Sequence, residues 1–140
     1  MNAVNNYTLI LNGDTASGLP VKLDLINLKK AAIILRAINH KLRQQMLRLL
    51  DEHKRLTVTE LYIHLRLEQS VASQHLAILR RAGFVKTERD GKFIYYMVNT
   101  ARMSEVNTFI SELLDWRLLN YAPEQAIGNW QQAIQFEVAQ

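Results

Sequence analysis

The spacing of apolar residues in the first half of the chain predicts two long amphipathic helices. Apolar side chains recur every three or four residues over residues 23–38 and again over residues 40–52, which is the period of a helix that buries one face. In the second helix Lys41, Arg43 and Arg48 fall on the polar side, and we expect them to face solvent. Residues 1–20 show no sustained period and are expected to form an arm, with a short strand near residues 7–11.

A short third helix and a fourth helix follow, separated by a connection of only a few residues. Val58–Leu65 has one apolar edge, and Thr57 or Thr59 can cap it, because a threonine hydroxyl accepts hydrogen bonds from free first-turn amides. After residues 66–68, a fourth helix is predicted over residues 69–82. Its inner face consists of Ala72, Leu76 and Leu79. Two helices joined in this way indicate a helix-turn-helix.

The pattern changes from helix to strand after Gly83, a usual residue at the C-terminal end of a helix. Residues 84–89 and 92–98 are rich in aromatic and β-branched side chains and flank Asp90-Gly91, which is typical of a hairpin with a two-residue turn. Pairing across this turn sets Val85 opposite Tyr96 and Thr87 opposite Ile94. A helix-turn-helix followed by a hairpin is the element order of a winged helix.

A fifth helix is predicted over residues 102–120, and a last amphipathic stretch over residues 124–138 follows Pro123. The residues expected to be buried in the fifth helix are Met103, Val106, Ile110, Leu113 and Leu114. The fold class is therefore mainly α with a β-hairpin wing, with about five helices and a C-terminal amphipathic segment. We divide the chain into an arm (1–20), a winged-helix domain (21–120) and a C-terminal extension (121–140).

The charge is concentrated in the middle of the chain. Residues 41–98 contain eleven Lys and Arg against six Asp and Glu, whereas the rest of the chain contains six against seven. The entire net charge of +4 therefore originates in the segment that carries the predicted winged helix. Such a local excess of positive charge is typical of a surface that binds a polyanion.

The outward positions of the fourth helix could read DNA. They are Ser70, Ser73, Gln74, Ala77 and Arg81. Serine and glutamine can bond base edges or phosphates, and the small Ala77 permits a close approach to a groove. Arg89 and Lys92 flank the predicted turn and could contact a minor groove or the backbone. The alternative is an ordinary solvated surface, and Glu68 would repel phosphate.

The segment from Gln69 to Val85, followed by Arg89-Asp-Gly-Lys-Phe-Ile-Tyr-Tyr96, resembles the ArsR/SmtB family of bacterial repressors over roughly residues 40–120. The resemblance implies a winged-helix homodimer whose first and last helices form the interface, with the fourth helix in the major groove and the wing on backbone or minor groove. The positions that match the family's reading segment are Gln69, Ser70, Ser73, Gln74 and His75, and those in its wing are Arg89 and Lys92. His75 lies on the flank of the helix and could instead bond within the fold.

The sequence gives little support for a metal site or for enzymatic activity. The thiolate positions of the family's arsenic sensors fall on Thr57, Thr59 and Tyr62, and the chain contains no cysteine. The zinc ligands of the last helix fall near Thr100, Arg102, Leu113 and Trp116. No helix carries a pair of histidines four residues apart, and no Gly-rich phosphate loop or HExxH motif is present. We expect no cofactor, no metal of the familiar types and no enzymatic activity.

The expected partners are double-stranded DNA, a second copy of the chain and an unidentified small-molecule or protein effector. No apolar run approaches the roughly 20 residues that cross a bilayer, and a cytoplasmic location without membrane contact is expected. The alternative function is a protein-interaction module, in which residues 124–138, with Trp130 and Phe136, bind a partner.

Overall fold

The computed structural model describes residues 7–13 and 18–115, in two units that comprise residues 1–99 and 100–140. The first unit begins with an antiparallel hairpin of β1 (Thr8–Leu11) and β2 (Val21–Asp24). Strand β1 lies within the predicted arm. Its partner β2 takes up Leu23 and Asp24, which the apolar spacing had assigned to the first helix.

Helix α1 (Leu25–Ile38) begins two residues later than expected, because Asp24 is its N-cap. The Asp24 carboxylate accepts hydrogen bonds from the backbone N–H groups of Ile26 and Asn27, at 2.9 and 3.1 Å. Helix α2 (Lys41–His53) follows after a break at Asn39. The expectation that Arg43 faces solvent is wrong: only 8% of this residue is exposed.

The helix-turn-helix consists of α3 (Val58–Leu65) and α4 (Gln69–Arg81). Thr57, rather than Thr59, caps α3 by accepting a hydrogen bond from the N–H of Glu60. Helix α4 buries Ala72, Leu76 and Leu79 as the spacing predicted. At its end Gly83 has φ 85°, and the N–H groups of Gly83 and Phe84 bond back to Arg80 and Leu79. This is a Schellman closure, in which the positive φ favours glycine.

A three-stranded sheet completes the first unit, with β5 (Phe93–Val98) between β3 (Leu56–Thr57) and β4 (Val85–Asp90). The hairpin is confirmed, but its predicted register is wrong by two residues on β5. Val85 lies opposite Val98, and Thr87 lies opposite Tyr96. The turn is formed by Gly91 and Lys92, and only Gly91 has a positive φ, at 63°. A shift of two residues leaves each side chain on its expected face, because side chains alternate along a strand.

The core of this unit is built where the winged-helix elements meet. Its fully buried large side chains are Met46, Leu50, Leu61, Leu76, Leu79 and Phe84. They come from α2, α3, α4 and the segment that leads into β4. Helix α4 is therefore anchored on one side, and its opposite side is free to carry function.

The second unit contributes α5 (Thr100–Leu114), shorter than the predicted helix over residues 102–120 in the part that the structure describes. Val106 is buried and Met103 and Ile110 are half-buried, but Leu113 and Leu114 are 67% and 58% exposed instead of buried. The proposed C-terminal extension, residues 121–140, lies outside the described residues. Among the described residues, no helix has the length and apolar character to span a membrane.

Candidate nucleic-acid interface

The side of α4 that faces away from the core is polar and exposed. Gln69, Ser70, Ser73, Gln74 and Arg81 are all exposed, and Ala77 is half-buried between them. The first turn of α4 has no side-chain cap, since Glu68 makes no capping hydrogen bond. The structure therefore brings five of the predicted reading residues together on one accessible face.

Helix α4 and the wing enclose an open concave surface between them. Its lining residues are Ser73, Ala77, Arg80, Arg81 and Tyr96. A second shallow depression continues along α4 past Gln74 and Ile78. Arg80 and Tyr96 were not among the predicted site residues. Tyr96 reaches the concave surface because it lies opposite Thr87 on the face of the hairpin that turns toward α4.

The tip of the wing carries two exposed cations in different settings. Lys92 is a turn residue, and its Nζ lies 5.4 Å from the centre of the Phe93 ring. Arg89 is on β4 opposite Ile94, and its Nε donates to the carbonyl oxygen of Gly91 at 3.2 Å. Both side chains remain at the surface, so the tip presents two positive charges.

The negative charge of Asp90, at the same tip, is partly neutralised by Arg55. The guanidinium of Arg55 lies 3.5 Å from the Asp90 carboxylate and 4.1 Å from the centre of the Tyr95 ring. This exposed pair contributes little to stability, but it offsets the negative charge of Asp90 next to Arg89 and Lys92. Arg55 was not among the predicted site residues, because only the fold brings it to the wing.

His75 does not lie with the other reading residues. It is half-buried, and its Nδ1 is 3.2 Å from Nη1 of Arg43, while its ring centre is 4.9 Å from that of His40. Burial lowers the pKa of His75 below its ordinary value, and the charges of His40 and Arg43 lower this pKa further. Burial and Arg43 also lower the pKa of His40.

The positions that correspond to the family's metal ligands have other surroundings here. Thr57 caps α3, and its hydroxyl also bonds the Glu60 carboxylate at 3.1 Å. Two histidines outside those positions, His53 and His64, form an exposed ring pair with centres 4.9 Å apart. Over residues 7–13 and 18–115, no three His, Cys, Asp or Glu side chains come together in a geometry that could hold a metal ion.

Comparisons with known proteins show that this chain is similar to a group of bacterial transcriptional regulators. Residues 40–87 match the family described as "Bacterial regulatory protein, arsR family". The chain is 34% identical over 98 residues to the transcriptional activator HlyU of Vibrio cholerae, which covers 69% of this chain and 90% of HlyU. It is 33% identical over 85 residues to the transcriptional repressor PagR of Bacillus anthracis, covering 61% of this chain and 85% of PagR.

Solved structures give the same picture at the level of the fold. The crystal structure of PagR matches 62% of this chain and 99% of the PagR chain, with a TM-score of 0.50 at 31% identity. An ArsR-like transcriptional regulator from Rhodococcus sp. RHA1 matches 81% of this chain and 96% of its own, with a TM-score of 0.56 at 17% identity. The latter likeness concerns the fold alone.

Proposed function

The chain belongs to the ArsR family of bacterial regulatory proteins, and from this premise we propose that it is a sequence-specific DNA-binding repressor that acts as a homodimer. Helix α4 would lie in the major groove, and the wing segment from Arg89 to Lys92 would contact the backbone or the minor groove. Direct contacts are proposed for Gln69, Ser70, Ser73, Gln74, Arg81, Arg89 and Lys92.

One observation carries the proposal: the exposed face of α4 combines short polar side chains with a basic end and borders the wing. Ser73 and Ala77 line the same concave surface as Arg80 and Arg81. Short side chains let a helix approach base edges closely, while arginines bond phosphate oxygens at the groove margins. Neither arginine has an ion-pair partner among the described residues, so both charges are available.

A two-fold dimer would present two copies of α4 to the same side of a duplex. Helix-turn-helix dimers bind half-sites about 34 Å apart, one turn of B-DNA, and this spacing requires a nearly palindromic operator. Repression is proposed by analogy with PagR. A target promoter fused to a reporter gene measures whether the protein represses or activates transcription. Higher expression in a strain that lacks the protein supports repression, and lower expression contradicts it.

Selection of genomic DNA fragments by the purified protein, followed by titration of the selected duplex, tests the central claim. We expect fragments with a shared, nearly palindromic sequence, and an affinity that falls steeply as salt is raised, because bound phosphates release counterions. Binding that is neither sequence-selective nor salt-sensitive would show that the proposal is wrong.

Variants in α4 and variants in the wing should change DNA binding in different ways. Ser73→Ala and Gln74→Ala should reduce discrimination between operator and mismatched duplex, by about 1 to 3 kcal/mol for each lost base contact. Arg89→Ala and Lys92→Ala should weaken all duplexes alike and reduce the salt slope by about one per side chain. Arg48→Ala, which removes an exposed cation of α2, is the control and should change neither quantity.

A further inference from the structure

A buried arginine connects α4 to the junction between α1 and α2. Arg43 donates from Nε to the carbonyl oxygen of Ala37 at 2.6 Å and from Nη2 to that of Arg36 at 3.0 Å. Its remaining arm, Nη1, reaches Nδ1 of His75 on α4 at 3.2 Å. One rigid guanidinium thus holds the C-terminus of α1 and the middle of the proposed reading helix at the same time.

The hydrogen bonds fix the protonation state of both histidines in this cluster. A guanidinium has only donors, so Nδ1 of His75 must accept and cannot carry a proton. Nδ1 of His40 accepts from the backbone N–H of Leu42 at 3.2 Å, which makes His40 the N-cap of α2. Each bond exists only while the Nδ1 that accepts it is unprotonated. Protonation of Nδ1 on either ring therefore removes one of the two hydrogen bonds in this cluster.

Protonation would also place like charges side by side. The rings of His40 and His75 are 4.9 Å apart, and Arg43 is charged at all relevant pH values. The charged or titratable groups that act on His75 are His40 at the α1–α2 junction and Arg43 on α2, and Arg43 acts on His40. All of them are cationic at low pH, so the folded cluster resists protonation.

We propose that His40, Arg43 and His75 form a proton-sensitive latch, which holds α4 in its DNA-binding position only while both imidazoles are neutral. This inference rests on the proposed function. It predicts that operator affinity falls as pH decreases from 8.0 to 5.5. Direct phosphate contact by His75 predicts that operator affinity rises as pH decreases, because a protonated imidazole attracts the negatively charged backbone of DNA.

The test measures the dissociation constant of the full chain for its selected operator duplex at pH 8.0, 7.0, 6.0 and 5.5, at fixed ionic strength. Because an imidazole changes its charge in this range of pH, we expect a progressive, several-fold loss of affinity between pH 7.0 and pH 5.5. The double variant His40→Asn with His75→Asn keeps an acceptor and a helix cap at these positions but does not titrate. It should bind like the wild type at pH 8.0 and lose most of the pH dependence.

The exposed pair His53 and His64 provides a matched control, because its ring centres are also 4.9 Å apart. The variant His53→Asn with His64→Asn should keep the full pH dependence. If the first double variant does not fold by circular dichroism, the single variants His40→Asn and His75→Asn take its place, and each should lose part of the response.

The outcomes separate the two proposals. Selective binding at pH 8.0 that stays constant or tightens on acidification overturns the latch and leaves the proposed function intact. A pH dependence that persists in the His40 and His75 variants, or disappears in the control, also overturns the latch. Absence of selective binding at pH 8.0 overturns the proposed function, and with it a latch that controls DNA binding.

Discussion

Arg43 belongs to α2 but closes the C-terminal end of α1. The last carbonyl groups of a helix have no partner within it. Here Arg43 donates to the carbonyl oxygens of Arg36 and Ala37. The side-chain Nε2 of Gln44 donates to that of Ile38 at 2.8 Å. The helix dipole also stabilises a positive charge at the C-terminal end of a helix. The buried charge is thus stabilised by carbonyl oxygens rather than by a carboxylate.

Replacing Arg43 with Met should strongly destabilise the fold. The substitution leaves the carbonyls of Arg36 and Ala37 without donors, and hydrogen bonds to a charged group contribute about 1.5 to 3 kcal/mol each. We expect the free energy of unfolding, measured with urea, to fall by about 2 to 4 kcal/mol. Arg48→Met, at an exposed position of the same helix, should stay within about 0.5 kcal/mol. Equal losses in both variants would contradict this role.

The stability of the DNA-free protein should depend on pH through the same histidines. The folded-state pKa values of His40 and His75 lie below the ordinary 6.5, so below that pH the unfolded chain binds more protons than the folded one. The free energy of unfolding should therefore fall as pH decreases through 6.5, and level off below the folded pKa values. Urea titrations from pH 8 to 5.5 measure this. A stability that rises on acidification would exclude it.

At the scale of elements, short-range interactions define where each helix begins and ends. Asp24 starts α1, Thr57 starts α3, and Gly83 closes α4. The wing turn follows the same principle, because Gly91 is the residue at which φ is positive. These local interactions therefore define the ends of the helices and the turn of the wing.

The cap of α3 can be tested by comparing two threonines. Thr57→Ala removes the hydroxyl that accepts from the N–H of Glu60, and loss of such a cap costs about 1 kcal/mol. Thr59→Ala changes an exposed position within the helix and should cost less than about 0.5 kcal/mol. Thermal or urea unfolding of the two variants measures the difference. A larger loss for Thr59→Ala would mean that the cap is assigned to the wrong residue.

At the scale of the molecule, both units expose large apolar side chains. In the first unit Leu19, Val21 and Ile33 are more than half exposed, and in α5 the same holds for Phe109 and Leu113. Extended apolar patches mark interaction sites. These surfaces support the proposed homodimer, whose interface the family resemblance attributes to the first and last helices.

Charges on the apolar side of α5 should therefore dissociate the dimer. Phe109→Asp with Leu113→Asp places two carboxylates among exposed apolar side chains, and loss of a central interface residue costs about 2 kcal/mol or more. We expect sedimentation to give twice the 16.2 kDa chain mass for the wild type and the single mass for the variant. Ser111→Asp, at an exposed polar position of α5, serves as the control. A wild type that sediments at the single mass would refute the homodimer.

Much of the winged helix could be predicted from the sequence, because helix period, caps and turn residues act over a few positions. The apolar spacing identified the inner face of α4, and the Asp90-Gly91 signal located the wing. Its register was missed by two residues, since Asp-Gly is compatible with more than one turn and the pairing of β5 with both β3 and β4 decides between them. The family resemblance added the biological role.

Only the tertiary structure decided which side chains share a site. The sequence determined that Ser73, Gln74 and Arg81 lie on one side of a helix, because that follows from a fixed rise and turn per residue. It could not place Tyr96 beside α4, Arg55 against Asp90 or Arg43 against His75, since these contacts join residues far apart in the chain. The helical pattern assigned Arg43 to solvent, and packing against two other helices made it the buried link to α4.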